Sequence, residues 1–322
     1  MATVRQKQAL GVAAAVVGVG ALAYWLTPDE VLHRRALAGE RRFAGLIQSQ
    51  MRLNGMKISY LDGGHINAPT LILLHGFGAS KETWVRVARH LTPFYRVLIP
   101  DLPGFGQSSK PEPHDYSIRN QARWLARFTE RLGIYPGFHL AGHSMGGYIA
   151  AMHAHMYPKQ VASLWLMCPL GVQRAVQSEM FARIEAGESS PLLAFDVREY
   201  DTLMDFVFHK RAWVPAPVKR TLAQNAVNDV YLHRDIFNTI HPFQDRRLCF
   251  ELPLEEIIAK LNKPTLVTWG DQDRVLDVSG ALTLKEANLG ITVDLLTGIG
   301  HMPLLEAPRR VAQLFEDWQR SV

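Results

Sequence analysis

The chain predicts an α/β architecture, a mostly parallel central sheet with helices on both faces. Three observations predict it. From about residue 50, short β-rich runs alternate with helical stretches. Several of those runs are nearly continuous apolar segments, as strands covered on both faces should be. One of them, 138–141, leads into the turn Gly142-His143-Ser144-Met145-Gly146-Gly147 and then a helical segment.

The elements follow in order. Residues 9–26 (ALGVAAAVVGVGALAYWL) carry no charge, follow Arg5 and Lys7, and end on Tyr24 and Trp25. Such a run just reaches across a hydrocarbon layer of roughly 30 Å, with aromatics at one interface. A signal peptide cleaved at Ala21-Leu22-Ala23 competes, but the apolar run continues through Leu26, so residues 1–26 are predicted as a retained transmembrane anchor. Basic residues flank it on both sides and set no orientation. Thr27-Pro28-Asp29-Glu30 has the form of a helix start. Val31, Leu32, Leu37 and Phe43 among Arg34, Arg35, Arg41 and Arg42 fit a juxtamembrane amphipathic helix within 27–50. A plain solvated linker helix is the alternative.

The sheet region is predicted over 51–170 and 264–322. Strands are expected at 56–62, 70–75, 96–100, 138–141, 162–168, 265–269 and 292–296. Helices are expected at 81–91, 117–132, 144–157, 279–287 and 308–319. Residues 171–263 interrupt the alternation. They hold helical patterns at 177–186, 201–208, 218–227 and 254–261 but no convincing strand, and read as an inserted helical cap or lid over the strand ends, where such sheets form their ligand crevice.

Composition excludes several classes. In 322 residues, 48% hydrophobic content is enough for a sizeable core and excludes a disordered chain. The net charge of +5 is spread out, with no basic run interleaved with aromatics, so nucleic acid is not an expected partner. Cys168 and Cys249 form no disulfide framework and no zinc spacing. Cys168 closes an apolar run and reads as a small buried hydrophobe. No metal constellation and no phosphate-cradling loop with its lysine is present, so neither metal nor cofactor is expected.

The candidate chemistry starts at Ser144. Strand, Gly-x-Ser-x-Gly, helix is a nucleophile elbow: the turn is too tight for side chains beside the serine, and the helix start lies under it. A serine hydroxyl needs a base. His301, in Gly298-Ile299-Gly300-His301-Met302-Pro303 after the last predicted strand, fits. His33, His233 and His241 lie elsewhere, and His143 reads as local packing. Asp273 follows the strand 265–269 and is the candidate acid, with Asp271 the alternative; the segment Cys168-Pro169-Leu170-Gly171 after the earlier strand offers no acid. The oxyanion donors are the amides of Met145 and Phe77. His75 reads as a pin for the Phe77 loop and Asp101 as structural.

In order, His75-Gly76-Phe77-Gly78, Asp101 to Gly106, Gly142 to Gly147, Asp273 and Gly300-His301 resemble the α/β-hydrolase family, over about 55–320. The N-terminal span, WLMCPLG (165–171) and WGDQDRVLDVSG (269–280) look most like its membrane-anchored monoacylglycerol lipases and related bacterial inner-membrane phospholipases. The resemblance implies a serine hydrolase cleaving glycerolipid esters (monoacylglycerol, lysophospholipid or phospholipid) through an acyl-enzyme, releasing fatty acid, and located at a bacterial inner membrane. The acyl chain is expected among Met180, Phe181, Leu192, Leu193, Phe195, Met204, Phe206 and Phe208 of the cap, residues whose alternative reading is cap core. Gly11, Gly18 and Gly20 permit a homodimer through paired anchors. C–C bond hydrolysis of ring-cleavage products and general carboxylesterase action on small soluble substrates are the competing enzyme readings; a non-catalytic binding protein is a third. Dehalogenase and epoxide-hydrolase chemistry would need an aspartate where Ser144 stands.

Overall fold

The computed structural model describes residues 27–322 except 113, 245 and 246. The expected anchor, residues 1–26, lies outside the described residues. Among those described, no helix is long and apolar enough to cross a membrane.

The strands are β1 (Leu46–Leu53), β2 (Met56–Gly63), β3 (Thr70–Leu74), β4 (Arg96–Pro100), β5 (Phe138–His143), β6 (Val161–Met167), β7 (Phe243–Gln244), β8 (Arg247–Leu248), β9 (Thr265–Gly270) and β10 (Thr292–Leu296). Eight form one sheet in the order β1-β2-β4-β3-β5-β6-β9-β10. The β1–β2 and β2–β4 pairs are antiparallel; the rest run parallel. The inner strands explain themselves: β3 is TLILL, buried after its first residue, and all of β9 is buried. Such strands need cover on both faces.

The helices supply it. They are α1 (Asp29–Phe43), α2 (Val85–Leu91), α3 (Ile118–Arg131), α4 (Met145–Met156), α5 (Glu179–Glu185), α6 (Val197–Val207), α7 (Ala216–Asn228), α8 (Val230–Ile240), α9 (Leu254–Lys260), α10 (Ser279–Ala287), α11 (Pro303–Glu306) and α12 (Pro308–Gln319). One set, α3, α4, α9 and α10, packs together; α2, α11 and α12 form another. Helix α4 is apolar all round (MGGYIAAMHAHM) and buried from Met145 to Ala154, as a helix against the sheet centre must be.

The structure corrects the expectations in four places. The helix expected within 27–50 ends at Phe43; Gly45 (φ 67°) turns the chain, and Leu46–Leu53 is an edge strand. The signal for it was Asn54-Gly55, whose positive φ values (50° and 80°) close a two-residue hairpin between β1 and β2. The helix expected at 81–91 opens as a 3-10 turn, Lys81–Trp84, capped by the Ser80 hydroxyl. Helix α8 was not anticipated. Within 171–263, where no strand was expected, β7 and β8 pair as a small ribbon.

Helix α1 packs chiefly along α7 and also touches β1 and α2. Its Asp29 Oδ2 meets Arg220 Nε at 2.6 Å.

Candidate active site

The site lies where β5, β6, β9 and β10 end. Ser144 stands between β5 and α4 with φ 54° and ψ −119°, a left-handed strain for a residue with a Cβ. Its amide donates to Met167 O at 2.9 Å, which ties the elbow to the end of β6. The flanking glycines follow from close backbone approach. A Cβ on Gly142 would lie 2.1 Å from Gly146 O, and one on Gly146 would lie 2.5 Å from both Leu74 O and His75 O.

Asp273 and His301 meet directly: His301 Nδ1 is 2.8 Å from Asp273 Oδ2, and both side chains are buried. Oδ1 of Asp273 accepts the amides of Val275 (2.8 Å) and Leu276 (2.9 Å), fixing the carboxylate's plane. The alternative acid does other work: Asp271 Oδ1 accepts the Gly298 amide at 2.7 Å, holding the loop that carries His301.

His143 joins residue 301 to the elbow. Its Nε2 lies 2.7 Å from the His301 carbonyl, and the two rings are 4.8 Å apart. Only an N–H can bond a carbonyl, so the proton is on Nε2. Burial, then the charge of His301, holds the imidazole well below the usual histidine range, so it stays neutral. The Ser144 hydroxyl makes no hydrogen bond to the His301 ring in this conformation; such bonds commonly tighten only with substrate.

Phe77 follows Gly76, whose added Cβ would come within 3.2 Å of Ser144 Cβ, so this loop closes over Ser144. His75 pins it: Nδ1–H donates to Gly76 O at 2.8 Å and Nε2 accepts the Leu102 amide at 3.0 Å. Burial keeps that ring neutral too. The Phe77 ring packs edge-on against Phe105, His233 and Phe237, the last two on α8. Met145 lies in the first turn of α4, where amides have no acceptor within their own helix. Asp101 is structural: it receives the Lys81 ammonium at 2.6 Å and the Lys81 amide at 2.7 Å in the interior, and the Gln107 amide at 2.9 Å nearer the surface.

Sequence reasoning missed two groups. Glu306 accepts from the amides of Gly300, His209 and Lys210, and so joins the His301 loop to the segment after α6. Its only signal was an acid shortly after His301. The second is Cys168, wholly buried, whose sulfur shares a 4.8 Å cluster with an Asp273 oxygen and a His301 nitrogen.

The residues expected around an acyl chain separate. Met180, Phe181 and Phe206 are buried, whereas Phe195 is 39% exposed. Phe181 lines a cavity of about 390 Å³ with Leu170, Val172, Phe250, Trp269 and Leu276, beside the acid loop. Ser144 is not in its wall.

Comparison with known proteins gives a consistent result. Residues 69–308 match the alpha/beta hydrolase fold family. The chain is 34% identical over 268 residues to Lipase 3 of Moraxella sp. (strain TA144), covering 83% of this chain and 82% of that protein. It is 32% identical to the monoacylglycerol lipase ABHD6 of Homo sapiens, covering 79% and 76%. Among solved structures, a membrane phospholipase A described as a bacterial virulence factor superposes with a TM-score of 0.86 at 37% identity, over 98% of each chain.

Proposed function

This chain belongs to the α/β-hydrolase family, and we propose that it cleaves carboxylic esters of glycerolipids with Ser144 as nucleophile, His301 as base and Asp273 as orienting acid. It is an ester hydrolase with lipase relatives. The observation that carries the residue assignment is the 2.8 Å pair of His301 and Asp273, joined through the His301 carbonyl and His143 to the turn that holds Ser144 at φ 54°.

The reaction follows from those positions. Ser144 Oγ attacks the ester carbonyl as His301 Nε2 takes its proton. Asp273 keeps the other proton on Nδ1 and stabilises the imidazolium. The amides of Met145 and Phe77 receive the oxyanion. His301 then protonates the departing alcohol, leaving an acyl-enzyme. Water, deprotonated by the same histidine, releases the fatty acid. The chemistry asks for no cofactor.

The remainder of the reading concerns place. Residues 1–26 anchor the chain in a membrane, 27–50 lead from it, and 171–263 cap the strand ends. The uncharged run 9–26 supports the anchor, and the membrane phospholipase A among similar structures supports the setting. Gly11, Gly18 and Gly20 would permit two anchors to pair. Monoacylglycerol and lysophospholipid are the substrates that fit, since a tethered enzyme meets lipid at high local concentration.

The test is turnover of monoacylglycerol and lysophospholipid by the full chain, Ser144→Ala and a chain lacking residues 1–26. Ser144→Ala should lose at least about 10⁴-fold in kcat while keeping its fold. The truncated chain should keep its rate on a short soluble ester and slow on vesicles. Full turnover by Ser144→Ala rejects the nucleophile. Equal rates on vesicles remove the anchor's role, and activity on soluble esters alone leaves a general carboxylesterase.

A further inference from the structure

Three described non-glycine residues have positive φ: Asn54 in the hairpin turn, Ser144 at the elbow, and Cys168 at 43°. Strain of this kind persists where surrounding structure enforces it. Around Cys168 that structure is visible. Its amide donates to Thr268 O at 2.9 Å, and the Leu170 amide donates to Ser144 O at 3.0 Å. The segment is therefore tied to the acid's strand on one side and to the nucleophile on the other. The conformation turns a wholly buried sulfur toward the acid, within 4.8 Å of an Asp273 oxygen and a His301 nitrogen.

An ionised carboxylate offers about four acceptor sites. For Asp273, the amides of Val275 and Leu276 and the His301 Nδ1–H occupy three. The thiol is the further donor at hand. Burial, then the negative charge of Asp273, pushes it well above its usual range, so it is a protonated donor and not a nucleophile.

We propose that Cys168 is a positioning residue for the hydrolysis: its S–H completes the hydrogen bonding of the Asp273 carboxylate and holds it in line with His301. The proposal rests on the triad assignment made above. Its consequence has a sign. Without the thiol, the carboxylate's charge is shared among fewer donors and bears more strongly on His301. The imidazolium is then favoured, and the pH at which the base is lost rises. The other titratable groups facing this cluster are Glu306 across the loop and His143 behind the ring.

The experiment compares full-length wild type, Cys168→Ala and Cys168→Ser on p-nitrophenyl butyrate, reading kcat, KM, the pH profile of kcat/KM and the thermal midpoint. Both variants keep a Cβ at this left-handed position, so the backbone requirement is unchanged. Cys168→Ala should lose about three- to tenfold in kcat with KM within about twofold. Its acid limb should move up by about half a pH unit. Cys168→Ser, with a stronger donor, should recover to within about twofold of wild type with its limb unmoved or lower. A wild-type kcat and profile in Cys168→Ala overturns the proposal. So does a serine variant as impaired as the alanine one, which marks a packing role. Ser144→Ala in the same assay keeps the two readings apart: turnover there refutes the triad itself, whereas an inactive Ser144→Ala beside an unaffected Cys168→Ala refutes only the thiol's part.

Discussion

The sheet and the helical insertion are held by different means. In the sheet, backbone meets backbone with no room for a methyl group. Gly142 lies against Gly146, Gly146 against Leu74 and His75, and Gly270 against Gly300, where an added Cβ would stand 2.2 Å from a carbonyl oxygen. The insertion is fastened largely by side chains, besides backbone bonds such as Met180 N–H to Arg274 O and His301 N–H to Val207 O. Lys110 reaches Asp229 at 2.5 Å, Arg274 reaches Glu179 at 2.6 Å, and rings such as Phe77 and Phe237 meet edge to face at 5.5 Å. Backbone contacts cannot yield without moving a strand, whereas side-chain contacts can be exchanged singly. Reacting groups are thus set by the rigid part, and the region that would shape a substrate is bound by adjustable links.

The comparison can be broken at its strongest point first. Gly146→Ala should destabilise the chain by about 3 kcal/mol, since the new methyl group meets two strand carbonyls. Urea unfolding measures it, and a change below about 0.5 kcal/mol would show that the elbow yields after all.

Acid comes next: histidines depressed by burial lie in both regions, His139 and His143 on β5 among them, and the part held by adjustable links should yield first. His233 and His241, both on or directly after α8, are held down to about 4, mainly by burial. Their folded values lie below the unfolded value, so the unfolded chain binds more protons between about pH 6.5 and pH 4. Stability is present above that window and is lost on descending through it, by roughly 1.4 kcal/mol per pH unit for each histidine. Hydrogen exchange followed from pH 7 to pH 4.5 should show α8 losing protection before β3 and β5. Simultaneous loss would erase the distinction.

The smallest effect belongs to the links. Arg274→Gln removes a half-exposed ion pair with Glu179 and a cation over the Phe206 ring at 4.6 Å. It should cost about 0.2–1 kcal/mol. A loss above about 2 kcal/mol, read by thermal unfolding, would place the insertion among the rigid contacts.

The same division decided what could be read from the sequence. Strands at 96–100 and 292–296 and helices at 279–287 and 308–319 have the bounds expected, because apolar runs and helical periods state them directly. Ser144, Asp273 and His301 could be singled out because each follows a strand in a recognisable turn. The edge strand β1 was hidden by its polar and half-exposed residues, which blur the alternation of a strand; Asn54-Gly55 was the better guide. Helix α8 carries a helical pattern, with Val230, Ile236, Phe237 and Ile240 buried, that the reading of the sequence passed over. Glu306 and Cys168 were illegible for another reason. Their roles depend on backbone groups and neighbours far away in the chain, and no local pattern encodes those distances.

The Glu306 carboxylate has one last implication. It grips the Gly300 amide together with those of His209 and Lys210 shortly after α6, while the His301 amide itself donates to Val207 O at 2.9 Å. The roof and the base are stapled at one spot. A wholesale swing of the roof would pull the imidazole off its carboxylate and halt turnover. On the proposed reading, an ester would enter between the helices of the insertion while the His301–Asp273 pair stays intact.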